Sequence, residues 1–521
     1  MGRYIVLGAW HPKITPSAHP NRFTGRNLRL CARQQDYMQP RVVRKEKQWC
    51  QQSFPREKTT DHCFSYPSKF IFPQDRFCDI VILNKGQVYA ITVFLEGKIM
   101  NYVEILDVLR GEFFDKVDKL SNLVRREVCF PNAPGVIKIA IGMRRTGKTT
   151  FLYQHIQDLL KSGVSKHQIL YINCEDDRLN PLTTSILSDI IDTFYSMHPK
   201  NYDATCHLFF DEIQNIDNWP AIIRRLHDTK DVELYLSGSS AKLLSKEIAT
   251  SLRGRSLSVE IWPFSFKEFL RSKKMAETSE FYDKRRQAEL LQAFHQYLSQ
   301  GGFPGLIHLE ANVRQSTLQE YLQVAVYRDI VERHNIHNFS ALKDTIQLMI
   351  HNTARPLAVN KLHGILKNQG ISIAKESLYD YILYVEDAYL AFSVPLFSTS
   401  LKKTQANPKK IYAIDPGLIR ATTLDFERDL GRLFENIVYL DLRRQGYIVS
   451  YYLTENRYEV DFFIQSKLGE KKLLQVAWHT DDEETRNREY RALDAAKSEL
   501  GIPGEVMTLD SYLRCTNTME S

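Results

Sequence analysis

Residues 142–149 read Gly-Met-Arg-Arg-Thr-Gly-Lys-Thr, filling every fixed position of the pattern G-x-x-x-x-G-K-[ST]. The flanks fit the same pattern. Residues 136–141 are an apolar, β-branched run of the kind that forms a buried parallel strand, and residues 150–160 repeat apolar side chains at helical spacing. A strand, a glycine-rich loop and a helix in succession point backbone N–H groups at one spot at the start of the helix, where phosphate oxygens are held. The predicted nucleotide-binding residues are Gly142, Met143, Arg144, Arg145, Thr146, Gly147, Lys148, Thr149 and Thr150. Gly142 and Gly147 let the chain turn and approach the ligand. Lys148 is expected to pair with the β- and γ-phosphates and to serve catalysis, and the Thr149 hydroxyl to ligate Mg²⁺. ATP and Mg²⁺ are therefore the expected cofactors.

Strands and helices alternate after this loop, which predicts a doubly wound α/β fold. Residues 169–173, 207–210 and 232–236 read as further strands, each ending in polar residues where ligands bind in open parallel sheets. The second of these three ends in Asp211-Glu212. Asp211 is the expected Mg²⁺ ligand and Glu212 the group that orients and deprotonates an attacking water. The separation of 63 positions from Lys148 to Asp211 leaves room for one βα unit, which places the Asp211 strand beside the loop strand. Ser237, in Ser237-Gly238-Ser239-Ser240, is expected to bring a hydroxyl to the γ-phosphate or the water. In Leu252-Arg253-Gly254-Arg255 either guanidinium is a candidate arginine finger, and Arg255 is taken as the catalytic candidate. Two solvated arginines are the plain alternative.

These motifs occur in order with Trp262-Pro263-Phe264-Ser265-Phe266, Gly301-Gly302-Phe303-Pro304 and Tyr327-Arg328-Asp329-Ile330. As a set they resemble the prokaryotic AAA-family ATP-binding proteins with a C-terminal domain of unknown function. The resemblance runs from about Met100 to the C-terminus. It implies an AAA-type ATPase core, a small helical region and a C-terminal domain similar to restriction endonucleases. The chain accordingly divides into an AAA-type domain with a lead helix (100–263), a helical region (264–337), a winged-helix-like domain (338–400) and a nuclease-like domain (408–521). Residues 402–410, basic and containing a proline, read as a linker before that last domain. The third helix of the winged-helix pattern, residues 375–386, offers one basic residue, Lys375. That favours a structural or protein-contact role over DNA reading. Nucleases of this class gather a helix Glu, a strand Asp and a (D/E)-x-K strand. Glu435 and Asp461 fit, but Gln475 and Ala477 stand where a carboxylate and the lysine belong. No nucleic-acid cleavage is expected.

Composition adds limits. The formal net charge of +7 is concentrated at the start: residues 1–99 hold 16 Lys and Arg against 7 Asp and Glu, and the rest is nearly neutral. The overall basicity is thus no argument for nucleic acid. Residues 1–99 read as an atypical, poorly ordered or non-native extension, with a strand pair at 70–94. No run of about 18 uncharged apolar residues occurs, so no membrane span is predicted. Eight cysteines without C-x-x-C pairs fit a reducing, cytoplasmic setting. The expected function is Mg²⁺-dependent ATP hydrolysis whose cycle acts on the attached winged-helix and nuclease-like module. A binding switch with negligible turnover and a DNA-processing enzyme with an active C-terminal nuclease are the rivals. DNA or a protein is the expected partner of the distal domains, and oligomer formation is left open.

Overall fold

The computed structural model describes residues 69–74, 77–84, 87–93, 102–120, 123–238, 252, 254–275, 282–423, 429–479 and 483–518. Ser239, Ser240 and Arg253, singled out in the sequence, lie outside them, as does most of the basic segment 1–99. The chain forms two units, Met1–Ile99 and Met100–Ser521, each taken by itself. In the first, β1 (Lys69–Gln74), β2 (Phe77–Asn84) and β3 (Gln87–Val93) form an antiparallel meander. The alternation at 70–94 thus covers three strands where a pair was expected. Only two residues separate each strand from the next, so one apolar run blurs into its neighbour.

The second unit opens with the expected lead helix, α1 (Tyr102–Lys119), which buries Leu106, Phe113, Phe114 and Val117. The helix ends at Lys119. Residues 123–130 run without regular structure because Arg126 turns inward to tertiary partners.

The central sheet has five parallel strands in the order β5-β6-β7-β4-β8. These are β4 (Ile137–Ile141), β5 (Ile169–Asn173), β6 (Cys206–Asp211), β7 (Val232–Gly238) and β8 (Ser256–Glu260). The expectation that the Asp211 strand neighbours the loop strand fails: β7 is inserted between β6 and β4. Chain spacing counts βα units and says nothing of which strand a later unit slots between. The edge strand β8 escaped the sequence reading because Ser256-Leu257-Ser258 is partly or fully exposed and lacks a continuous apolar run.

Alternate residues of each central strand enter different cores. Ile137, Ile139, Leu208 and Phe210 pack with α3 (Thr184–Met197) and α4 (Trp219–Thr229) on one face. Ala140, Tyr171, Phe209 and Tyr235 pack with α2 (Lys148–Lys161) on the other. Helices on both faces of a parallel sheet are the doubly wound arrangement.

Downstream come α5 (Phe266–Ser272), α6 (Lys284–Gln300) and α7 (Ala311–Ala325), the last continuing into a π-helical turn, Val326–Val331. Next follow α8 (Phe339–His351), β9 (Arg355–Leu357), α9 (Val359–Asn368), α10 (Lys375–Asp387), β10 (Ala391–Val394) and β11 (Lys409–Ala413). The three strands form a sheet in the order β10-β11-β9. Residues 402–410 are therefore no linker. They span a short helix, α11 (Leu401–Ala406), and the start of the middle strand of that sheet, so the three-stranded sheet extends past residue 400. The C-terminal part comprises α12 (Pro416–Thr422), α13 (Leu430–Arg444) and the sheet β12-β13-β14-β15 with helices α14 (Glu483–Leu500) and α15 (Leu509–Thr518). Its strands are Ile448–Leu453, Glu459–Gln465, Lys471–Ala477 and Gly504–Thr508. One apolar cluster runs from Met143 and Trp262 through Phe294 and Leu342 to Phe434 and Leu513, joining the distal parts to the nucleotide-loop end of the sheet. Among the described residues no helix is long and apolar enough to cross a membrane.

Candidate nucleotide site

The loop leaves the carboxyl end of β4 at Gly142, whose φ is 149° and whose absent Cβ would fall 2.3 Å from the Ile261 carbonyl oxygen. Any side chain there would push the loop off the sheet. Gly147 caps α2 in the left-handed region, φ 97°, and the helix begins at Lys148. The first-turn N–H groups of α2 face the loop without intrahelical acceptors. Thr149 and Thr150 lie half-buried in that turn, and Thr146 Oγ1 donates to the Met143 carbonyl at 2.9 Å. Met143 is buried in the apolar cluster, and Arg145 is exposed with its guanidinium 5.3 Å over the Tyr321 ring.

Lys148 is buried. Its Nζ donates to the Gly142 and Met143 carbonyls at 3.2 and 3.1 Å and lies 3.8 Å from Glu212 Oε1. Asp211, also buried, accepts from Tyr171 Oη at 2.8 Å and from the Ser237 hydroxyl. The Glu212 N–H donates to Ser237 Oγ at 3.0 Å. Ser237 does reach the site, but its hydroxyl braces the Asp211-Glu212 pair. Glu212 itself sits in the left-handed region, φ 53° and ψ 47°, a conformation worth about 1–3 kcal/mol of strain for a non-glycine residue. Gln214 Nε2 donates to Glu212 Oε2. This turn aims the Glu212 carboxylate at the loop lysine.

Arg255 is not brought to the site. It precedes β8, at the amino edge of the sheet, where its carbonyl accepts from Ile137 N–H at 2.9 Å and its guanidinium pairs with Asp228. The loop lies at the other end of the strands, about 15 Å away by strand rise. A turn beside a strand end offers no sequence signal of which end it is.

Three residues missed in the sequence complete the site. Tyr171, on β5, holds Asp211; burial, then the Asp211 charge, pushes its hydroxyl pKa well up, keeping it a donor. Arg126 reaches from the irregular stretch behind the loop. Its Nη1 donates to the Thr146 carbonyl at 2.9 Å, its Nη2 to the Trp262 carbonyl, and its Nε pairs with Glu268 at 2.9 Å. Asp329, from the π-helical turn, takes Arg144 Nε on both carboxylate oxygens at 3.0 and 3.2 Å. Burial raises the Asp329 pKa while Arg144 opposes the rise. The Arg126 partners lie 20 to 142 residues away in sequence, beyond any local pattern. A cavity of about 680 Å³ opens beside Arg144, Glu175, Gln214 and Asp329.

A nucleotide and Mg²⁺ fit this donor set. The tight loop, the start of α2, Lys148 and the Asp211-Glu212 pair lie together at the carboxyl ends of the strands.

Residues 135–270 match the family described as an AAA domain (AAA_14), and residues 291–429 match a domain of unknown function, DUF8612. The uncharacterized protein MJ1544 of Methanocaldococcus jannaschii is 36% identical over 431 residues, covering 82% of this chain and 92% of its own. The chain belongs to that protein's family. This AAA-domain protein is also 27% identical over 342 residues to an uncharacterized protein of Haemophilus influenzae, covering 66% of the chain and 82% of the relative. The solved structure of C. elegans PCH-2 matches over 43% of the chain at 14% identity with a TM-score of 0.21, a likeness too slight to argue from. The DUF8612 match ends at residue 429. It covers the helical region from residue 291 on and the three-stranded sheet, not the C-terminal residues where the resemblance had implied the domain of unknown function.

Proposed function

We propose that the AAA-domain protein binds ATP with Mg²⁺ and hydrolyses it. The observation that carries this reading is the convergence of Lys148, Asp211 and Glu212 on one loop, with Lys148 Nζ 3.8 Å from Glu212. Lys148 pairs with the β- and γ-phosphates; Thr149 and Asp211 would hold Mg²⁺, which would supply charge neutralisation at the phosphates. Glu212 orients the attacking water and accepts its proton. Ser237 and Tyr171 fix the Asp211 carboxylate so that it need not reorganise.

Nucleotide state reaches the rest of the chain through Arg144. This loop residue is tied to Asp329, so a shift of the loop pulls on the helical region directly. The order helix, strand, helix, helix, strand over 339–394, with the short helix α11 before the last strand, β11, supports a winged-helix reading. Its third helix, α10, exposes Tyr379 and Leu383, which favours a protein over DNA as the contact.

Equilibrium ATP binding to Lys148→Ala tests the proposal. The variant is expected to keep its circular dichroism and lose ATP affinity by about tenfold or more. Wild-type affinity in the folded variant would overturn the reading.

A further inference from the structure

Lys410 comes from the middle strand β11, yet its ammonium lies among carboxylates of the next layer. Its side chain is 1% exposed. Nζ is 2.7 Å from Glu435 Oε1 on α13, 2.8 Å from Glu459 Oε1 and 3.1 Å from Asp461 Oδ1, both on β13. The surrounding groups are fixed as well. Tyr412 Oη donates to Glu435 Oε1 at 2.7 Å, and Val476 N–H to Asp461 Oδ2 at 3.0 Å. Gln475 accepts from Asp461 N–H at 3.1 Å and donates to Glu489.

Three oxygens from two elements thus surround one point at ammonium distances, and a fully buried nitrogen stands on it. Divalent ions hold oxygen at about 2.0–2.6 Å, so the carboxylates need move inward by only about half an ångström to one ångström to ligate such an ion. Ammonium and metal cannot share the point. With one positive charge against three carboxylates, the cluster also carries an excess of negative charge.

We infer that the Lys410 ammonium is a built-in cation, seated in a carboxylate site that accepts a divalent metal ion once the ammonium is removed. It ties the three-stranded sheet to α13 and β13 and keeps metal out of the C-terminal part. The inference is independent of the nucleotide site.

The test is Mn²⁺ binding to the full chain without nucleotide, read by electron paramagnetic resonance of free Mn²⁺ together with thermal unfolding. Lys410→Met keeps the apolar stem but ends one atom short of the ammonium. Wild type is expected to bind no Mn²⁺ in a manner that Asp461→Asn removes. Lys410→Met is expected to bind one Mn²⁺ at least about tenfold more tightly than wild type, to be stabilised by it, and to lose this with Asp461→Asn. If Lys410→Met is poorly folded, Mn²⁺ is expected to restore it. Asp461-dependent Mn²⁺ binding by wild type would overturn the inference. So would a Lys410→Met protein, folded or not, on which Mn²⁺ has no effect.

Discussion

Replacing Arg126 by Met tests whether the nucleotide loop is held from behind. The guanidinium pairs with Glu268 at 2.9 Å, with side-chain exposures of only 5% and 3%. Methionine fills the stem but leaves the Glu268 carboxylate buried with only the Glu127 and Ser265 N–H donors. It also orphans the Thr146 and Trp262 carbonyls. Removing one partner of a buried ion pair costs about 3–5 kcal/mol, and the orphaned carbonyls belong to the same loss. Arg126→Met with Glu268→Gln removes the uncompensated charge and should recover about half of that. Urea unfolding followed by tryptophan fluorescence suits the assay, since Trp262 is buried at this contact. Because Arg126 anchors Thr146, ATP affinity measured without urea is expected to fall as well. A single variant within about 1 kcal/mol of wild type and with unchanged affinity would refute the reasoning.

Other outcomes follow from the same geometry. Asp329→Asn removes the charged partner of Arg144 and should cost about 1.5–3 kcal/mol in urea unfolding. Arg328→Ala, whose exposed side chain pairs with Glu332, should cost less than about 1 kcal/mol; equal costs would contradict the assigned role of Asp329. Asp415 is buried, and burial raises its pKa from 3.8 to about 6 although it accepts from Gly302 N–H and Leu418 N–H. The folded state therefore prefers the protonated form. The Asp415 contribution to stability falls as pH rises from about 4 to about 6, by about 3 kcal/mol, and is flat above. Unfolding free energies of wild type and Asp415→Asn across that range should show the slope in their difference; a difference independent of pH would contradict it.

What the sequence revealed was local. The loop 142–149, the strand ends at Asp211 and Ser237 and the helix after Lys148 each carry their signal within a few residues. What it hid was the partner of each long side chain. Arg126 and Asp329 each stand beside another charged residue, and Lys410 lies in the basic stretch 402–410, so nothing local marks any of the three as buried. The structure buries each one because a carboxylate, carbonyl or guanidinium distant in sequence meets it. Lys410 shows this most plainly: position 477 holds Ala where the nuclease pattern has a lysine, while another strand supplies a lysine to the same carboxylates, Glu435 and Asp461. Strand order was hidden for a related reason, since β7 enters between β4 and β6 by packing that no spacing records.

The most direct test of the account is phosphate release from MgATP by wild type and Glu212→Gln side by side. Glutamine keeps the shape and the hydrogen-bonding capacity toward Gln214 but not the base. Wild type is expected to turn over ATP, and the variant to bind ATP normally while releasing phosphate about 10²-fold more slowly. Equal turnover in the two proteins, or none in wild type, would contradict the account.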